Sequence, residues 1–164
     1  MQGVTPDAAV KTGGAVFLSY ASQDAAAARR LCDALRAAGI EVWFDQAELR
    51  GGDSWDRKIR RQIKQCARFV PLASAETQGR TEGYVRLEWR LADQRTHQMA
   101  RNKAFIVPVA IDATPDAGAD VPESFLGVQW MRLLGGQATP AFRARIVALA
   151  PGERRVRAHD GMRY

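Results

Sequence analysis

Five short runs of this sequence are apolar almost without interruption, at residues 15–20, 41–45, 68–72, 104–111 and 128–133, and segments of helix length separate them. A strand with one solvated face alternates apolar and polar residues, whereas a strand covered on both faces does not. The intervening segments are long enough for the crossovers that parallel strands require. The order βαβαβαβαβ therefore predicts an open α/β sheet with helices on both faces.

The helical segments carry inward stripes and end signals. Ser22 and Asp24 are placed to cap a first helix whose apolar positions Ala28, Leu31, Cys32 and Leu35 fall at helical spacing, and Gly39 is placed to end it. Ser54 is placed to cap a second helix with Trp55, Ile59, Ile63 and Cys66 inward, a stripe that reads as core. A last helix over 140–150 turns Phe142, Ile146 and Leu149 inward. Two loops stand out. Residues 46–53 join the second strand to the second helix through Gly51-Gly52, at the strand edge where open α/β sheets place their ligand crevice. Residues 112–121, rich in Ala, Asp, Pro and Gly, read as a surface excursion.

Composition narrows the function classes. With 46% hydrophobic and 26% charged residues the chain is an ordinary globular one, and 164 residues bury enough surface for one core without a staple. Cys32 and Cys66 form no CxxC and have no histidine cluster near them, which argues against a metal site. No apolar run approaches membrane-spanning length, and the N-terminus lacks the order of a signal peptide, so the expected compartment is a reducing cytoplasm. The net charge of +6 is partly local: residues 153–164 carry four arginines against Glu153 and Asp160. The remaining excess is scattered over helix surfaces with no aromatic-interleaved basic stripe, which argues against direct nucleic-acid binding.

The most informative residue lies in the third helix, expected over 83–97. With Tyr84 at zero and about 100° per residue, Leu87, Leu91, Ala92 and Val85 bracket an apolar arc, and Glu88 falls near its middle at about 40°. A buried carboxylate costs several kcal/mol unless it is paired or hydrogen-bonded. Two explanations follow: Glu88 pairs with Arg95 or an arginine from another helix, or it lines a cleft floor with a raised pKa and Tyr84 one turn before it. Trp89 beside it, and Trp43 and Trp130 within apolar strands, read as packing, and His97 reads as a surface residue.

Several of these segments together resemble Toll/interleukin-1 receptor (TIR) domains. Residues 17–24, FLSYASQD, look like the family's first box; 42–45, VWFD, followed by 49–54, LRGGDS, look like its second strand and BB loop. Residues 84–88, YVRLE, are similar to the aromatic-x-x-x-Glu of NAD-cleaving members, and 104–111 and 128–133 match the later strands. Tyr84 stands where enzymatic members often have Trp, and the BB loop lacks the proline-glycine form of many animal receptors and looks bacterial. The resemblance divides the chain into a flexible segment 1–13, a TIR domain 14–150 and a basic flexible tail 151–164. It implies a flavodoxin-like three-layer sandwich with a five-stranded parallel sheet in order 2-1-3-4-5.

It further implies an NAD glycohydrolase or cyclase of a bacterial defence or signalling system, with NAD as substrate and no cofactor. Glu88 would be catalytic, and Tyr84, Tyr20, Ala21, Asp45 and Leu49 would bind substrate. Tyr20 also reads as a strand-end aromatic packed on a helix, and Asp45 as a loop cap. The implied partners are further TIR protomers in head-to-tail contact and a partner domain or regulatory chain. Two other readings share the fold. A non-catalytic assembly module gives no reason for an inward carboxylate, and a phosphoacceptor receiver needs an Asp where the third strand ends in Ala73-Ser74.

Overall fold

The computed structural model describes residues 14–44, 53–79, 83–100, 104–115 and 120–148. The flexible segments expected at 1–13 and 151–164 lie outside these residues, as do Asp45 and the loop at 46–52. Strands β1 (Val16–Ser19), β2 (Val42–Trp43), β3 (Arg68–Ala73), β4 (Val109–Ala110) and β5 (Met131–Arg132) form one parallel sheet in the order β2-β1-β3-β4-β5. The expected α/β sandwich and strand order are therefore observed. β4 and β5 are shorter than the apolar runs at 104–111 and 128–133. Pro108 lacks the N–H a ladder needs, and before it only the bridge from Ile106 to Phe69 connects the run to β3.

Six helices flank the sheet among the described residues: α1 (Ala25–Ala37), α2 (Asp53–Gln65), α3 (Ala75–Gln78), α4 (Tyr84–Thr96), α5 (Glu123–Leu126) and α6 (Pro140–Ala148). Alternation along β1 divides the core. Val16 and Leu18 face a layer made by Leu31 and Leu35 of α1 with Phe142 and Ile146 of α6. Phe17 faces the other layer, made by Ile59 and Ile63 of α2, Val85 and Trp89 of α4 and Phe125 of α5. Ser19 ends β1 two residues after Phe17, so its side chain belongs to the α2/α4 side. That places one buried hydroxyl against the helix carrying the buried carboxylate.

The helix ends are partly as expected. α1 closes in a Schellman motif, with Ile40 N–H donating to the Leu35 carbonyl and Gly39 N–H to that of Arg36, and with Gly39 at φ 84°. Its start differs. Ser22 and Asp24 form a 3₁₀ turn and make no capping bond; Ser22 donates to Gln23, and Asp24 accepts from the Ser74 hydroxyl at 2.5 Å. Ser54 is not a cap either, because α2 already begins at Asp53. Instead Ser74 caps the short α3 in a capping box with Thr77.

Gly136 fixes the segment after β5 against α1. At φ 79°, a Cβ there would lie 2.3 Å from the Ala27 carbonyl oxygen, and Arg30 ties the same turn down through the Gly135 carbonyl at 2.6 Å. Gly136→Ala is expected to cost about 2 kcal/mol from left-handed strain and backbone clash, lowering the melting temperature by about 4–8 °C. Parent-like melting of that variant would show that the turn is free to lift off α1.

Candidate active site

Past the carboxyl ends of β1 and β2, between α2 and α4, the chain leaves a cleft of about 250 Å³. It lies at the carboxyl edge of the sheet beside β1, the side on which an open α/β sheet offers a ligand. Tyr20, Ala21 and Ser22 leave β1 along one wall; Trp55, Ile59 and Gln62 come from α2; Gly83, Tyr84, Val85 and Glu88 come from the start of α4. Four of the predicted site residues, Glu88, Tyr84, Tyr20 and Ala21, thus line one cleft. Asp45 and Leu49 lie outside the described residues.

Glu88 is 7% exposed, as its place in the apolar arc implied. The ion pair with Arg95 is not formed. Arg95 instead donates to the carbonyls of Ile63 and Cys66 at 2.6 and 2.7 Å, closing the end of α2, and stacks 4.3 Å over Phe105. Among the described residues Glu88 has no ion-pair partner. Its bond is to the Ser19 hydroxyl, which donates to Oε1 at 2.6 Å. Burial pushes the carboxyl pKa up to about 7, against the opposing pull of the Ser19 hydrogen bond.

Tyr84 is half-buried at the first position of α4, one turn before Glu88. Burial and then the neighbouring Asp56 carboxylate raise its phenol pKa. The N-cap Gly83 has φ 117°, a conformation glycine adopts without strain, and a Cβ there would meet nothing within 4 Å. Tyr20 is half-buried and stacked on Phe44 at 5.1 Å, with the Arg29 guanidinium 5.4 Å from the centroid of the Phe44 ring. Tyr20 therefore lines the cleft, and its stacking partner is Phe44 just after β2 and not a helix.

The sequence reading missed two aromatic walls. Trp43 is half-buried and lines the cleft rather than sitting in the core, because it ends the short edge strand β2. Trp55 belongs to the inward stripe of α2 and is buried, yet it forms part of the same wall, with Lys58 Nζ 4.8 Å over its ring. An aromatic in the first turn of a helix that starts at the strand edge was the available signal. Trp130 is half-buried and donates to the Phe125 carbonyl, away from the cleft, and His97 is exposed. Among the described residues no three His, Cys, Asp or Glu side chains converge as metal ligands, and no helix is long and apolar enough to cross a membrane.

Comparison with protein families matches the TIR domain over residues 16–147. The chain belongs to the TIR domain family. The match takes in every element that builds the cleft. The fold agrees with that of a metazoan TIR-STING receptor from C. gigas, solved in complex with 2',3'-cGAMP, at a TM-score of 0.60 and 18% identity; the match covers 87% of this chain and 40% of that chain. The Vibrio vulnificus NanR protein complexed with ManNAc-6P overlaps more loosely, at a TM-score of 0.44 and 16% identity over 87% of this chain and 47% of that one. Comparison with curated proteins finds no match.

Proposed function

We propose that this TIR domain cleaves the bond between nicotinamide and ribose in NAD, as a glycohydrolase or cyclase serving a bacterial defence or signalling system. One observation carries the reading. Glu88 is a buried carboxylate without an ion-pair partner among the described residues, open to a cleft and one helical turn from an aromatic ring. A non-catalytic assembly module has no use for such a group, which is costly to bury.

The chemistry suits a single carboxylate. Nicotinamide in NAD is a pyridinium and leaves neutral, so no general acid is needed, unlike the two-carboxylate cleavage of ordinary glycosides. Glu88 would hydrogen-bond the ribose hydroxyls and stabilise the positive charge that develops on the ribose as the bond breaks. Tyr84 would stack on the departing ring, and Tyr20 and Ala21 would line the ribose side. Asp45 and Leu49 are proposed to contact the substrate as well. NAD serves as substrate, and the proposed compartment is the cytoplasm.

The described lining of the cleft carries no Lys or Arg, so the diphosphate of NAD must be met elsewhere. A second TIR protomer docked head to tail beside residues 46–54 would supply that enclosure, and a tethering partner domain or regulatory chain would raise its effective concentration. Incubating the protein with NAD and resolving the products by chromatography tests both ideas. Nicotinamide should be released together with ADP-ribose or a cyclic isomer, and release per molecule should rise with protein concentration. No release at any concentration refutes the activity, and release that is flat on dilution refutes the need for a second protomer.

A further inference from the structure

Two buried polar groups, Ser19 and Trp89, form one hydrogen-bonded chain that ends on the carboxylate. Trp89, 1% exposed, follows Glu88 on α4, and its indole Nε1–H donates to Ser19 Oγ at 3.1 Å. An indole N–H only donates, so Ser19 Oγ accepts from Trp89 and its own proton is free for Glu88 Oε1, at 2.6 Å. The indole is held on its other sides by Phe125 at 5.5 Å and by the Arg86 guanidinium 5.1 Å over the ring. Oε2 has no protein hydrogen bond among the described residues, and Glu88 lines the cleft.

We propose that Ser19 and Trp89 are positioning residues for Glu88: the indole fixes the Ser19 hydroxyl, and the hydroxyl holds Oε1 so that Oε2 alone is offered to a ligand. This deepens the reading of Glu88 as the site carboxylate and rests on it for its use in catalysis. A rotating hydroxyl could equally accept from a protonated carboxyl. Here the hydroxyl donates to Oε1, and that bond opposes the effect of burial on the carboxyl, which favours the charged carboxylate.

The other titratable or charged groups around Glu88 are accounted for. Tyr20 and Tyr84 line the cleft, and Asp56 on α2 sits beside Tyr84. Lys58 lies over Trp55. Arg86 binds the Thr77 carbonyl and Asp120, and Arg95 holds the end of α2. None forms an ion pair with Glu88, so the two-bond relay is its one direct polar control among the described residues.

The test is a carbon-13 NMR titration of the Glu88 carboxyl, assigned with Glu88→Gln, in the parent, Ser19→Ala, Ser19→Thr and Trp89→Phe without substrate. Ser19→Ala should raise the midpoint by about one pH unit, the change that losing one charge-assisted hydrogen bond produces. Trp89→Phe, which keeps the ring contact with Phe125, should raise it less, and Ser19→Thr should restore the parent value. The acid limb of kcat/KM for NAD should move with these midpoints. Midpoints in Ser19→Ala and Trp89→Phe that match the parent would overturn the proposal; if Ser19→Ala fails to fold, Trp89→Phe against Ser19→Thr decides it in the same way. Midpoints that shift as stated in a protein that never turns over NAD would keep the relay and refute the NAD reading.

Discussion

Replacing Glu88 with alanine is expected to lower NAD turnover by about 10²–10³-fold, the scale of losing one preorganised electrostatic contact to a developing charge. Glu88→Gln should fall nearly as far. The amide keeps the side-chain shape and an oxygen for the Ser19 hydroxyl but brings no negative charge to the ribose. Initial rates on NAD, with melting curves to confirm folding, measure both variants. Turnover near that of the parent in either would remove Glu88 from the chemistry. The stability of the alanine variant is informative as well. Breaking a buried ion pair costs about 3–5 kcal/mol, whereas leaving one hydroxyl short of an acceptor costs about 1–3 kcal/mol. With Ser19 as the hydrogen-bond partner of Glu88, the smaller loss is expected.

Much of this arrangement is legible in the sequence because burial leaves a periodic trace. The helical angle of Glu88 within the arc of Leu87, Leu91, Ala92 and Val85 was enough to bury it, and the uninterrupted apolar runs were enough to make the sheet parallel and covered on both faces. What stayed hidden is pairwise. Whether Glu88 meets Arg95 or Ser19 depends on how α4 lies on β1, and no period in one segment records that. Arg95 lies seven residues beyond Glu88, about two turns along α4, where the end of α2 offers it free carbonyls. Ser19 was a signal available but not used: a hydroxyl closing an apolar strand needs a partner, and so does a glutamate in an apolar arc. The same holds for Trp89, whose place beside Glu88 predicts packing and whose N–H needs an acceptor once buried. Strand lengths were overestimated where Pro108 interrupts the ladder, because hydrophobicity persists through a residue that cannot donate.

The proton on Glu88 links function to stability, and the signs of the two effects are opposite. The folded carboxyl has a pKa of about 7 against an ordinary value of 4.5, so between these limits the folded protein binds a proton more tightly than the unfolded chain. Stability therefore falls as pH rises from 4.5 to 7 and levels off above, where both states are ionised. At pH 8 the charged carboxylate lowers stability by about 3 kcal/mol on this basis. Glu88→Gln carries no such proton. It should match the parent at low pH and gain on it through that window, ending about 3 kcal/mol more stable, or about 6–12 °C higher in melting temperature. NAD cleavage by the parent should run the other way, with kcat/KM rising through pH 7 as the carboxylate forms. Urea unfolding of parent and variant at pH 5 and pH 8 measures the difference. Parallel pH dependence in the two proteins would mean that Glu88 ionises as freely as an exposed glutamate and that the acid limb of NAD cleavage lies near pH 4.5 instead of 7.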